Sequence, residues 1–240
     1  MEKSPLAGHY LEKYDEALEE LRSRLIAMGK LAMQQLDNAL LAVQNEDSQL
    51  ADQVIATDAE VNRHEMEIDN LCSQIIARHQ PAASDLRFVI AVIRIVTDLE
   101  RISDQTEQRV AQMVARMADR GRPGSEYVDI NTMGQRVLAM LDKAVVAFDK
   151  MDAEMALEVV REDLQADREL DGIVRQQITF MMEDPRTIGR ALDILWALRA
   201  LKRISDHTGN ICEHIIYLVK GADVRHAKLD EIEAIVRQPR

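Results

Sequence analysis

The chain has 240 residues, 42 of them acidic and 30 basic, for a formal charge of −12. That charge repels phosphate backbones and, with no long Lys/Arg run to offset it, excludes a general nucleic-acid binder and favours cations or basic surfaces as ligands. With 47% hydrophobic but only 3% aromatic residues, 9 Gly and 5 Pro, the chain can fill a core yet is poor in strand formers and turns, so helix is expected throughout and sheet is not.

Leu18, Leu21, Leu25, Met28, Ala32, Leu36, Ala39 and Val43 recur every three or four residues and predict a first helix from near Tyr10 to near Asn45. The polar run Asn45-Glu46-Asp47-Ser48 offers a turn and an N-cap for a second helix, which carries Val54, Val61, Ile68, Leu71 and Ile75 to about His79 and is closed by Pro81. Ser84 or Asp85 is the expected cap of a third helix reaching about Ala118, broken at Gly121, Pro123 and Gly124. Asn131 is the expected cap of a fourth helix, and Asp152 opens a fifth that reaches Met182. Pro185 to Thr187 lead into a sixth that ends at Lys220-Gly221, a basic last turn followed by a C′ glycine. The segments before Tyr10 and after Ala222 read as loosely held.

An internal repeat organises these helices. Glu100-Arg101-Ile102-Ser103-Asp104-Gln105-Thr106 returns 102 residues later as Lys202-Arg203-Ile204-Ser205-Asp206-His207-Thr208. Upstream the offset is 105: Met28-Gly29 matches Met133-Gly134, Asp47 matches Asp152, and Asp58 matches Asp163. The expected fold is all-α, two tandem, sequence-related three-helix bundles, with the long first helix bridging the halves. The units are residues 1–120, a linker at 121–130, a second bundle at 131–222 and a tail at 223–240. No signal peptide is readable, and apolar runs such as Phe88 to Ile93 fall far short of the roughly 18 residues of a membrane span, so a soluble, cytoplasmic protein is expected. Cys72 and Cys212 are isolated and read as buried thiols of a reducing compartment.

Chemistry concentrates on acids. Asp58, Asn62, Glu65 and Asp69 share one face of the second helix, and Glu100, Asp104 and Glu107 one face of the third. In the second half, Asp163 and Asp167, with Asp171 nearby, are expected to face Asp206, Asn210 and Glu213. Clustered carboxylates repel unless protonated or neutralised, and a hard cation such as Mg²⁺, Ca²⁺, Mn²⁺ or iron is one remedy; solvated acidic faces are the other reading. Arg101 and Arg203 are candidates for ion pairs with these acids or for phosphate contact, and His207 for pairing with an acid. No Glu-x-x-His, HExxH, GxxxxGK[ST] or GxSxG occurs, so no enzymatic template fits.

The two Arg-Ile-Ser-Asp cores, Pro81-Ala82-Ala83-Ser84-Asp85-Leu86-Arg87, Asn210-Ile211-Cys212-Glu213 and Val219-Lys220-Gly221 together resemble the PhoU family over residues 10 to 225. The resemblance implies duplicated three-helix bundles with an acid-x-x-x-Asp motif in each half, where some members hold metal clusters. It further implies a cytoplasmic, non-enzymatic regulator of bacterial phosphate uptake. Such a protein contacts the ATPase subunit of the phosphate ABC transporter and the sensor histidine kinase of the phosphate two-component system, and keeps the Pho regulon off. It reaches the membrane only through these partners, and homodimers are common among such bundles. The family motif falls on Glu100 and Asp104 in the first half and on Asp206 in the second, where Lys202 replaces the acid. The candidate metal set is therefore Asp58, Asn62, Glu100, Asp104, Asp163, Asp167 and Asp206, with iron, manganese or magnesium as the ion. Because a protonated lysine offers no lone pair, the first half is expected to bind a cation more tightly, and Lys202 to pair with Asp206 or Asp163. A metal or phosphate store, or a carboxylate-bridged metallohydrolase, is the alternative on the same residues.

Overall fold

The computed structural model describes the backbone of residues 5–117 and 127–238 and the side chains of residues 13–114 and 129–238. Among the described residues there is no strand. The helices are α1 (Pro5–Asn45), α2 (Ser48–His79), α3 (Ala83–Gln105), α4 (Gln112–Met117), α5 (Tyr127–Lys150), α6 (Ala153–Glu183), α7 (Ile188–Lys220) and α8 (Leu229–Arg237). A π-helical turn, Thr106–Ala111, joins α3 to α4, and a 3₁₀ turn, Pro185–Thr187, precedes α7.

Local chemistry repeats with the sequence. Asp47 Oδ1 accepts from the Gln49 and Leu50 N–H groups at 3.0 Å, and Asp152 Oδ1 accepts from Glu154 and Met155 at the same distance, so each half opens its second helix with the same aspartate cap. Gly221 closes α7 at φ +79°, its N–H bonded to Tyr217 O at 2.8 Å, in the left-handed conformation that glycine tolerates best. Two expected caps are not used. Ala82 precedes α3 without a side-chain bond, while Asp85 accepts from the Tyr14 hydroxyl at 2.9 Å. Helix α5 starts at Tyr127, so Asn131 lies within it. The break at Gly121, Pro123 and Gly124, like Ala118, falls outside the described residues.

The apolar stripe of α1 is buried from Leu21 to Val43, with Leu18 half-buried, and α2 buries Val54, Val61, Ile68 and Ile75, with Leu71 only half-buried. Burying each such side chain contributes about 1.5–3 kcal/mol. α1 packs on α2, α3 and α5, so the first helix does bridge the halves, and α3 packs along α7. At the α1–α5 crossing, a Cβ on Gly29 would lie 2.8 Å from Val145 Cγ2 and one on Gly134 2.2 Å from Leu40 Cδ2. The two contacts exchange under the 105-residue offset, so the halves meet through a self-complementary close approach. Gly134→Leu is expected to overpack this crossing at a cost of about 1–3 kcal/mol, read as a lower thermal midpoint; an unchanged midpoint would contradict the close approach.

The tail is not loose. After Gly221 the chain turns back to bury Val224, then forms α8, which seats Ile232 and Val236 in the core and pairs Glu233 with Arg161 at 2.6 Å. Leu229, Ile232 and Val236 were spaced for this, but the surrounding charges masked the pattern.

Candidate cation site and the interface between the halves

In the first half, the motif serine ties α3 to α2. Ser103 Oγ lies 2.9 Å from Asp58 Oδ1 and 2.6 Å from Gln35 Oε1, and Asn62 Nδ2 donates to Asp58 Oδ2 at 2.9 Å. Asp58, Asn62, Glu65, Glu100, Asp104 and Glu107 thereby gather where α2 faces α3. Arg101 reaches back along its own helix to Glu100 (3.3 Å) and Asp104 (3.6 Å), and it is half exposed. Even so, Glu100 Oε2 and Asn62 Oδ1 are buried and accept no hydrogen bond. The pKa shifts follow from this crowding. Burial first, then the charges of Asp104, Glu65 and Asp58, hold Glu100 above the ordinary glutamate range against the pull of Arg101. Burial and then Asp58 raise Asp104 and Glu107; burial and then Asp69 raise Glu65.

The second half repeats the frame and changes the charge. Ser205 Oγ donates to Asp163 Oδ1 at 2.6 Å, as its counterpart does to Asp58. Lys202, 7% exposed, stands at the counterpart of Glu100 and carries its ammonium to Asp163 at 2.9 Å, to Asp167 at 3.2 Å and to Asp206. Burial alone would lower the lysine pKa, but bonds to Asp206 and Asp163 outweigh it and hold the group above its ordinary value. The position of Glu65 is taken by Leu170. One half therefore carries surplus negative charge and orphaned oxygen, and the other carries its own cation.

Among the described residues, no group of three or more His, Cys, Asp or Glu side chains stands in an arrangement that could hold a metal ion. The first half nonetheless has the chemistry a hard cation needs: oxygen donors only, raised carboxylate pKa values, a buried Asn62 oxygen without a donor and a buried Glu100 oxygen held only by the Arg101 ion pair. The second half does not fit one, because Lys202 occupies the centre of its acids. Carboxylates with raised folded pKa values favour the fold only below their unfolded values and oppose it once pH rises through the folded ones. The first-half acids therefore oppose folding at neutral pH, and either acidification or a bound cation relieves them. Mn²⁺ at a hundredfold excess over its Kd should add about 2.7 kcal/mol. We expect a higher thermal midpoint with Mn²⁺ in the wild type and in Asp206→Asn, and none in Glu100→Gln/Asp104→Asn; equal responses in all three would contradict the asymmetry.

The face where α3 meets α7 holds a second cluster. Asp98, 8% exposed on α3, lies 2.8 Å from His207 Nδ1, 3.3 Å from Asn210 Nδ2 and 3.5 Å from His214 Nε2, all on α7. Burial alone would raise its pKa, but the bonds from His207, His214 and Asn210 prevail and lower it.

Comparison with known proteins follows this duplicated frame. The sequence model of the PhoU domain family matches residues 25–119 and 130–215, one stretch in each half. The chain belongs to the PhoU family. A relative from Pseudomonas aeruginosa, named a phosphate-specific transport system accessory protein PhoU homolog, is 43% identical over 99% of this chain and 98% of its own. The Escherichia coli phosphate-specific transport system accessory protein PhoU is 39% identical over 98% and 97%. Among solved structures, PhoU from P. aeruginosa superposes with a TM-score of 0.84 at 44% identity, covering 87% of this chain and all of that one. The phosphate transport system regulatory protein PhoU from Streptococcus pneumoniae gives 0.81 at 29% identity, over 88% and 99%.

Within this PhoU frame, the predicted residues separate into two groups. Asp58, Asn62, Glu100 and Asp104 come together in the first half; Asp163, Asp167 and Asp206 come together around Lys202, the pairing expected of it. Asn210 and Glu213, expected beside Asp163, instead line a cleft on the far side with Asp98, and Asp171 stands exposed outside the Lys202 set. His207 pairs with an acid, but one from the other half. Sequence reasoning missed Ser103 and Ser205 as the bonds that orient Asp58 and Asp163, although both serines lay inside the repeated core. It also missed Asp98, which carries no repeat signal, since Ala200 holds the equivalent place. Cys72 and Cys212 are buried thiols as expected, and burial pushes Cys72 up to about 12.

Proposed function

We propose that this protein is a regulatory accessory protein of bacterial phosphate uptake. It acts as a negative regulator of phosphate-starvation genes through contacts with the ATPase subunit of the phosphate ABC transporter and with the cytoplasmic part of the partner sensor histidine kinase. The observation that carries this reading is the near-complete, 39–43% identical match to proteins named as accessory to the phosphate-specific transport system. No helix among the described residues is long and apolar enough to cross a membrane, so reaching a transporter takes a protein surface rather than a span.

In this reading the acids serve signalling rather than turnover. Glu100, Asp104, Asp58 and Asn62 would hold a magnesium, manganese or iron ion in the first half, which would supply the positive charge that Lys202 supplies in the second. Both α2–α3 and α6–α7 faces are then neutralised and rigid enough to present a defined surface to partners, whose states shift by differential affinity. Storage of metal or phosphate is the weaker reading, since a store gains by loading both halves and Lys202 fills one. The test is copurification of the tagged protein from phosphate-replete cells with metal analysis of the same sample. Recovery of the transporter ATPase and the kinase is expected; stoichiometric metal in both halves without either partner would overturn the regulatory reading in favour of storage or catalysis.

A further inference from the structure

The crossing of α3 and α7 is flanked by two clefts related by the repeat. At the 102-residue offset, Arg94 corresponds to Trp196, Thr97 to Arg199, Asp98 to Ala200 and Gln105 to His207. The first cleft, about 680 Å³, holds Asp98 with His214, and its arginines have company: Arg225 is bonded to Asp223, and Arg94 lies 3.9 Å from the same acid. In the second, about 340 Å³, alanine stands in place of the buried acid and, among the described residues, no carboxylate lines the wall. Arg109, Arg199 and Arg203 line it, all exposed, with no carboxylate partner among the described residues. Arg109 and Arg199 each place the guanidinium carbon 5.7 Å from the centre of the Trp196 ring, and Trp196 is 51% exposed.

In a chain of charge −12, three arginines without a carboxylate partner among the described residues are a local reversal of sign. Their guanidinium groups keep donors free for bidentate contact with carboxylates, and the half-exposed indole between them is the kind of anchor that dominates protein interfaces. We propose that this cleft docks an acidic segment of a protein partner, one that sets Asp or Glu side chains on the arginines and an apolar side chain against Trp196, Leu170 and Ala200. The apolar part of the wall argues for a peptide over a free anion, which would leave it wet. The guanidinium groups already over the indole argue against a stacked nucleobase. Gln105 and Arg109 come from the first half and the rest from the second, so the occupant grips both. Arg109 also sits on the π-helical turn that begins two residues beyond Asp104, which joins the cleft to the end of the first-half acidic cluster.

The proposal is independent of the regulatory reading, because it is tested by binding alone. Trp196 is the only tryptophan in the chain, so its emission in the full-length protein reports on this cleft. A short synthetic peptide alternating Glu-Asp with Leu is titrated, with inorganic phosphate, pyrophosphate and duplex DNA as comparators. The expected result is a saturable change in emission with the peptide only, weakening as salt is raised. Affinity should fall about tenfold or more in Arg199→Glu and in Arg109→Glu, and stay within about twofold in Arg225→Glu on the opposite cleft, with circular dichroism unchanged. No emission change with the peptide, equal losses in all three variants, or saturation by phosphate or pyrophosphate but not by the peptide would each overturn it.

Discussion

Replacing Lys202 with methionine should destabilise the protein and at the same time create a cation requirement in the second half. The ammonium is buried against Asp163, Asp167 and Asp206, and its loss leaves three carboxylates facing one another. A fully buried pair broken in this way costs about 3–5 kcal/mol, but Asp167 and Asp206 are more than half exposed, so solvent screening brings the expected loss to about 2–3 kcal/mol. Chemical denaturation with and without Mn²⁺ checks this. Lys202→Met should recover much of its loss with the ion, and Lys202→Glu, which restores the first-half charge pattern, should recover more. A variant as stable as the wild type, or indifferent to the ion, would show that Lys202 is not the built-in counterpart of a cation.

The second large effect is expected at Asp98. Asp98→Ala leaves His207, Asn210 and His214 without their shared acceptor at the only buried acid joining α3 to α7 among the described residues. Of these donors His214 is buried, His207 half-buried and Asn210 exposed, so water takes up part of the loss and the expected cost is about 1–2 kcal/mol. Because the folded pKa of Asp98 is lowered, its stabilising contribution is present above the unfolded value of about 3.9 and lost as pH falls through the folded one. The stability gap between wild type and Asp98→Asn should therefore hold from neutral pH down to about pH 4 and close below it. No gap at neutral pH, or a gap that does not close on acidification, would contradict the role given to the Asp98 carboxylate.

Much of this fold was readable because duplicated chemistry marks duplicated structure. Asp47 and Asp152 announced their helices, Gly221 ended its own, and the stripe from Leu21 to Val43 placed α1 in the core of both halves. The same serine of each motif met its α2 or α6 aspartate. What stayed hidden depended on differences between the repeats. Asp98 and Trp196 have no counterparts of like kind, so no recurrence flagged them, and the faces of α7 that carry Asn210 and Glu213 were assigned to the wrong neighbour because helical spacing gives a stripe and not its partner. The π-helical turn after Asp104 was equally silent: α7 carries the matching Arg-Ile-Ser-Asp core through an unbroken α-helix. The charge reversal within the repeated motif, Glu100 to Lys202, was visible in sequence, and the three acids around Lys202 give it a physical meaning.

The regulatory account is tested most directly in a strain lacking this gene that carries a reporter of phosphate-starvation genes and is grown with ample phosphate. Wild-type protein should restore repression, and Glu100→Lys/Asp104→Lys, which removes both motif acids and puts two fixed positive charges at half-buried positions where the second half carries one beside Asp206, should fail to restore it while keeping the wild-type circular dichroism. Full repression by the double variant would contradict the claim that the first-half acidic site takes part in signalling, and a reporter left on by the wild-type protein itself would contradict the regulatory function.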